Sequence, residues 1–318
     1  MAPASRLFAG TASLGGRVPA REGLRALDLA RELGVTGLDT ARSYGFGEAE
    51  ALIGRHLTRH AHVRDTLVLA TKAGIAPSPA PRGMDLLAPA GRLAEHTLAA
   101  LPAPLAAALR TARAGLARSL TRPRDPTAHE PALPPPEVLE TSLLASLCAL
   151  RTDRVDIFLA HRCPATPAAY DDFASMCERQ VTAGRVLLWG ICGTPATIAA
   201  VSRHAPPPVV QMPASALAPG ASPLATAFTM LYQPFGGPEG VSRLDAVAPP
   251  SLHGADRRRW LAEVALRLAS EAASRAPHAL VCAMNRPDHV ATNVAALDAP
   301  WLSAASIAAI GRRLRETA

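Results

Sequence analysis

Apolar and polar positions follow two alternating rhythms along the chain. Short apolar runs end abruptly on glycine or polar residues, and longer stretches carry apolar side chains three or four apart. Residues 6–16 read as a strand and a glycine-ended loop, and residues 21–33 as a helix with Leu24, Leu27 and Leu33 on one side and Gly34 as its stop. Residues 36–45 (TGLDTARSYG) open as a buried strand and break into a loop. Residues 48–57 read as a helix and 66–71 as a third strand. The rhythm resumes at 137 with a helix bearing Val138, Leu143, Leu144, Leu147 and Leu150, then a strand at 155–160. A helix at 170–183 follows, with strands at 184–191, 208–211, 227–232 and 279–282. Further helices are expected at 257–274, 287–297 and 302–314. Only a short or degenerate helix fits between the sixth and seventh strands. Strand–helix alternation at this pitch predicts parallel β/α units.

Three of these strands end on groups with chemical use: Asp39 after the second, Lys72 after the third and His161 after the fourth. Tyr44 lies five residues beyond Asp39, in the loop. A phenol and an amine ordinarily titrate near ~10 and ~10.4, so neither alone is a good acid at neutral pH. An ammonium close to a phenol favours the phenolate, and a buried carboxylate keeps the amine charged. Tyr44 is then expected to protonate a carbonyl oxygen, with Lys72 lowering its pKa, Asp39 holding Lys72 and His161 orienting the carbonyl. Lys72 is the only lysine among 33 basic residues, and Tyr44, Tyr170 and Tyr232 are the only tyrosines. A guanidinium, larger and more basic, would not share a proton with a phenol in the same way.

The segments 38–45 (LDTARSYG), 69–72 (LATK) and 155–162 (VDIFLAHR) together resemble the aldo-keto reductase superfamily. The resemblance implies an α/β (β/α)8 TIM barrel whose Asp, Tyr, Lys and His reduce aldehyde or ketone carbonyls by direct hydride transfer from a nicotinamide cofactor, NADPH or NADH. It makes the whole chain, 1–318, one barrel domain. It also implies a cofactor side that includes Thr11 and Asp39. Gln211 stands where the family's glutamine bonds the nicotinamide amide, and Tyr232, in 232–236 (YQPFG), where its tyrosine stacks on the ring. Residues 284–293 are similar to the adenosine-phosphate segment, with Asn293 at the adenine position and Arg286 and His289 near the phosphate. Two departures stand out. His289 and Thr292 replace the usual arginine and acid, and Cys192-Gly193 replaces the usual Ser-Asn pair at the carboxamide, which implies weaker or rearranged nicotinamide binding.

One segment breaks the pattern. Residues 77–136 form a Pro-rich insert after strand three, with seven arginines against four acids. Leu105, Leu109, Leu116 and Leu120 share one side of a helix there, with arginines elsewhere on its surface. Packing on the barrel, or a lid over the site, is the expected use; lying on a membrane surface is the alternative. Loops at 236–256 and after His161 are expected to shape the substrate pocket.

Composition narrows the class. Hydrophobic content of 49% with 19% charged residues describes a soluble globular chain with a large core, filled by Ala, Leu and Val because aromatics are only 4%. The net charge of +7 and pI near 9.8 come from scattered arginines without any recognition motif, so nucleic acid is not the expected partner. Five cysteines with no CxxC pair suit reduced thiols in a cytoplasm. The N-terminus does not read as a signal peptide. His56, His60 and His62 have metal-like spacing but are read as a solvated helix end, so no metal is expected. The expected partner is a small carbonyl compound, and a monomer is the default. A non-catalytic barrel that retains cofactor as a sensor or assembly subunit is the rival reading.

Overall fold

The computed structural model describes residues 6–16, 18–78, 132–214, 228–273 and 277–316. Eight parallel strands close into one barrel in chain order: β1 Leu7–Gly10, β2 Gly37–Asp39, β3 Val68–Ala73, β4 Val155–Ala160, β5 Val186–Cys192, β6 Val209–Pro213, β7 Phe228–Tyr232 and β8 His278–Ala283. The expected (β/α)8 architecture is the observed one. Between and after the strands run α1 Ala20–Glu32, α2 Glu48–Arg59, α3 Pro136–Leu150, α4 Pro167–Thr182, α5 Pro195–Ser202, α6 Gly237–Val247, α7 Gly254–Ala272, α8 Pro287–Asp298 and α9 Ala304–Glu316. Several starts are legible in retrospect. Proline occupies the first turn of α3, α4, α5 and α8, and the Thr166 and Thr194 hydroxyls cap α4 and α5.

A strand buried on both faces alternates between two cores. Phe8, Ala70, Ile157, Leu159, Cys192, Val209, Met230, Ala279 and Val281 pack together inside the barrel. Their neighbours in sequence, such as Leu7, Leu69, Phe158 and Ile191, pack outward against the helices. Room inside is tight. A Cβ on Gly37 would stand 2.3 Å from the Phe8 ring, so a glycine at the start of β2 is what lets that ring fill the lumen.

The structure departs from the sequence expectations at three places. Residues 236–256, expected as a loop, contain helix α6. Helix α5 was not expected at all. Helix α3 begins at Pro136, inside the expected insert, and its buried face is Leu139, Leu143, Ser146, Leu147 and Leu150, while Val138 and Leu144 are exposed. The rest of the insert, with its leucine-striped helix, and the connection between β6 and β7 lie outside the described residues. Among the described residues, no helix is long and apolar enough to cross a membrane.

Candidate active site

The same period of two that fills the lumen also aims the polar groups. Asp39 continues the inward face of Gly37, Lys72 that of Ala70, His161 that of Ile157 and Leu159, and Gln211 that of Val209. Asp39, Lys72 and His161 stand at or just past the C-terminal ends of their strands, where barrels of this type carry their sites, and Gln211 faces them from the middle of β6.

Lys72 is 1% exposed, and its ammonium has three donors. One meets Asp39 Oδ2 at 2.7 Å, one the Thr40 carbonyl oxygen at 2.8 Å and one the Tyr44 hydroxyl at 3.2 Å. The same nitrogen lies 4.7 Å from the centre of the Tyr44 ring. Burial alone would discharge this amine; Asp39, then Tyr44 and Cys192, outweigh it and hold the pKa above the ordinary amine range. Asp39 is anchored at both ends of its carboxylate, because Gln211 Nε2 donates to Oδ1 at 2.9 Å. Gln211 in turn accepts from the Cys192 thiol at 3.1 Å, and burial pushes that thiol up to about 12, so it is a neutral donor.

Tyr44 reaches Lys72 because of an unusual turn. Residues Tyr44–Gly47 make a tight helical turn in which Gly45 and Phe46 have left-handed backbones, with φ of 57° and 59°. A Cβ on Gly45 would lie 1.9 Å from the Leu14 carbonyl oxygen, so the turn can sit against the β1 loop only with glycine there. The turn is tied down by a carboxylate. Glu50, fully buried on α2, accepts from Thr71 Oγ1 at 2.6 Å and from Arg42 at 3.4 Å, linking the residues just before Tyr44 and just before Lys72.

The sequence reading expected Lys72 to lower the Tyr44 pKa. It does, but burial acts more strongly and in the opposite direction, so the net position of the phenol is above its usual value. The phenol is therefore protonated throughout the neutral range, in the form that donates. His161 stands edge-on to Tyr44, with ring centres 5.7 Å apart. Burial, then the charges of Lys72 and Arg162, push its pKa down to about 3, so it is neutral. Its Nδ1 is buried with no hydrogen-bond partner among the described residues.

The residues expected on the cofactor side divide. Thr11 is buried, and its hydroxyl donates to the Asp39 carbonyl oxygen at 3.0 Å; it fixes β1 against β2 instead of facing outward. Tyr232 is half-buried at the end of β7, against the inner core. Asn293 is buried on α8, with Asn285, which the sequence reading left without a role, buried just ahead of that helix. Arg286 and His289 are exposed, and the Arg286 guanidinium is shared between Glu22 and Asp288, each at 3.4 Å. Arg286, at the N-cap of α8, makes no side-chain capping hydrogen bond among the described residues. Gly193 has no room for the asparagine usual in the family, since even a Cβ would stand 2.6 Å from Thr197 Oγ1.

Sequence reasoning missed Glu50, although a signal was there. It lies three, four and seven residues before Ile53, Gly54 and Leu57, and so on the buried face of α2. His56 follows the same rule, four after Leu52 and three after Ile53. It is 3% exposed, which overturns the reading of the whole histidine cluster as a solvated surface.

The sequence profile of the Aldo/keto reductase family matches residues 6–223. The chain belongs to the aldo/keto reductase family. Among curated relatives, the 6-dehydroglucose reductase of Novosphingobium aromaticivorans is 41% identical over 68 residues, 20% of this chain and 22% of that protein. The aldo-keto reductase YhdN of Bacillus subtilis is 33% identical over 76 residues, 23% of each. The matched segments thus span under a quarter of either relative. Among solved structures, the thermostable aldo-keto reductase Tm1743 in complex with the inhibitor epalrestat superposes with a TM-score of 0.61 at 18% identity, covering 96% of this chain and 94% of that one. The holo form of aldo-keto reductase AKR11C1 from Bacillus halodurans gives 0.61 at 17%, covering 97% and 91%. At such identities these two establish the fold of this aldo/keto reductase, not its substrate.

Proposed function

We propose that the chain is a reversible reductase of aldehyde or ketone carbonyls, with a nicotinamide dinucleotide as hydride source and NADPH as the form used in the first assay. The observation that carries this reading is the buried Lys72 ammonium, 3.2 Å from the Tyr44 hydroxyl and otherwise saturated by Asp39 and Thr40.

The site suits such a cofactor on the chemistry of its donors. The unpartnered His161 Nδ1 marks a place where a ligand satisfies a buried polar atom. The uncapped first turn of α8 suits a phosphate, with buried Asn285 and Asn293 beside it. Tyr232 and Gln211 would stand at the ring end, and Arg286 would meet a 2′-phosphate only in competition with Glu22 and Asp288. The bound dinucleotide supplies the hydride that becomes the new C–H bond. The chain supplies everything else. Tyr44 donates its proton to the carbonyl oxygen as negative charge builds there, and takes it back in the oxidative direction. Lys72 stabilises the phenolate that remains, and Asp39 keeps Lys72 in place and charged. Neutral His161 offers its one N–H to the same oxygen and fixes its direction. Atoms and charge balance: carbonyl, hydride and one proton give the alcohol.

The reading is tested by following NADPH and NADH absorbance with a panel of aldehydes, for wild type and Tyr44→Phe. The variant should lose about 10²–10⁴-fold in kcat while binding cofactor normally. A wild type that binds cofactor but turns over no faster than Tyr44→Phe favours the cofactor-retaining, non-catalytic barrel instead.

A further inference from the structure

We propose that Asp28, His56 and His60 form a second site, on the outside of the barrel, that binds one zinc-like divalent ion and clamps α1 to α2. The ligand atoms of the three residues lie within 4.8 Å of one another. His56 Nδ1 and His60 Nε2 stand 3.2 and 3.1 Å from the same oxygen, Asp28 Oδ1. In a tetrahedral zinc site with bonds near 2.0–2.1 Å, neighbouring ligand atoms are about 3.3 Å apart, so two of the three edges already have the right length. The histidines are four apart, His56 in the last turn of α2 and His60 at its C-cap, and their ring centres lie 4.9 Å from each other. The third ligand comes from a different helix, as a clamp requires.

The surroundings select the kind of ion. His56 is almost wholly buried, Asp28 about two-fifths exposed and His60 about one-quarter exposed, so two of the ligands have little freedom and solvent reaches the third. Arg31 and Arg59 lie close enough to His56 to oppose added positive charge, which disfavours a hard ion held by one carboxylate alone. Zinc, cobalt(II) and nickel(II), which gain from imidazole ligation, fit better than magnesium or calcium. His60 closes the C-terminal end of α2, where the carbonyl-rich helix terminus favours a cation. In a β/α barrel this end of the helix lies away from the C-terminal ends of the strands. The ion would therefore act on stability and leave the Tyr44 chemistry alone. His62, exposed on the following turn with its ring 6.3 Å from that of His60, is outside the set.

The test uses the full chain, free of any affinity tag and stripped with a chelator. Zinc binding is measured by equilibrium dialysis, and cobalt(II) is added as a spectroscopic probe. Wild type should bind one zinc per chain saturably, show visible ligand-field bands of a tetrahedral cobalt site, and melt at a higher temperature with zinc present. Asp28→Asn and His60→Ala, both at partly exposed positions, should each weaken zinc binding by more than about tenfold, and His62→Ala should not. His56→Asn belongs to the set but risks the packing of α2, so the first two variants decide. The proposal is overturned if wild type takes up no stoichiometric zinc, if the Asp28→Asn/His60→Ala double variant keeps it, or if the uptake is abolished instead by Cys148→Ser, at an exposed free thiol on α3 that could itself take zinc.

Discussion

Gln211 Nε2 donates a 2.9 Å hydrogen bond to Asp39 Oδ1, on the carboxylate whose other oxygen holds Lys72. Asp39 is therefore fixed from β6 as well as from β3, across the mouth of the barrel. The charge that tunes Tyr44 sits in a frame of three strands, and its consequences are measurable.

Removing one member of a buried ion pair is costlier than removing both. Asp39→Asn leaves an ammonium that is 1% exposed without its counter-charge and should cost about 3–5 kcal/mol, read from urea unfolding. Lys72→Met leaves the carboxylate unpaired at a comparable cost. The double variant Asp39→Asn/Lys72→Met should be more stable than either single variant yet show no recovery of turnover. A double variant destabilised by the sum of the two single losses would mean that the pair is not coupled in the folded chain.

Acid should unfold the protein through His161. Its folded pKa of about 3 lies below the ordinary value of 6.5, so the imidazole stays neutral in the fold. Below pH 6.5 the unfolded chain takes up a proton that the native site refuses. The stability present above that pH is lost as pH falls towards 3, at about 1.4 kcal/mol per pH unit for one such group. His56, also pushed down by burial, adds to the same trend. Unfolding in urea at pH 7 and pH 5 should show this loss in wild type and a smaller one in His161→Gln. Identical losses would exclude a buried neutral His161.

Gly45→Ala tests the turn that delivers the phenol. Its φ of 57° and the Leu14 carbonyl oxygen 1.9 Å from the would-be Cβ force the turn to move. A displacement of Tyr44 by about 1 Å should lower kcat by about a hundredfold. Cofactor affinity, measured by fluorescence quenching, should change little. A fall in both together would assign Gly45 to cofactor binding.

Glu50 should matter for stability through its shape and acceptors, more than through its charge. Glu50→Gln keeps an acceptor for Thr71 and should be mild. Glu50→Leu strands the Thr71 hydroxyl and should cost about 1–3 kcal/mol in urea unfolding, with a drop in kcat as the Tyr44 turn loosens. Equal behaviour of the two variants would show that the hydrogen bond carries no weight.

Much of this protein was legible in its residues one after another. Short apolar runs alternating with stretches of helical period marked the eight strands and most of the helices between them. A single lysine, a strand-ending acid and histidine, and a tyrosine in the loop named the four groups of the candidate site, because each pattern is local and survives without coordinates. Tertiary structure alone decided how those groups share partners. Gln211 is 172 positions from Asp39, yet barrel closure brings it to that carboxylate and the Thr11 hydroxyl to the same residue's backbone. The same closure strips enough water from the half-buried Tyr44 to outweigh the pull of Lys72 on its pKa, a balance no spacing reveals. Asp28 and His56 meet only because α1 and α2 lie side by side against adjacent strands. The physical reason is the range of the forces. Periodicity records which face a residue turns to the core, whereas burial and hydrogen-bond partners depend on what the rest of the chain places opposite that face.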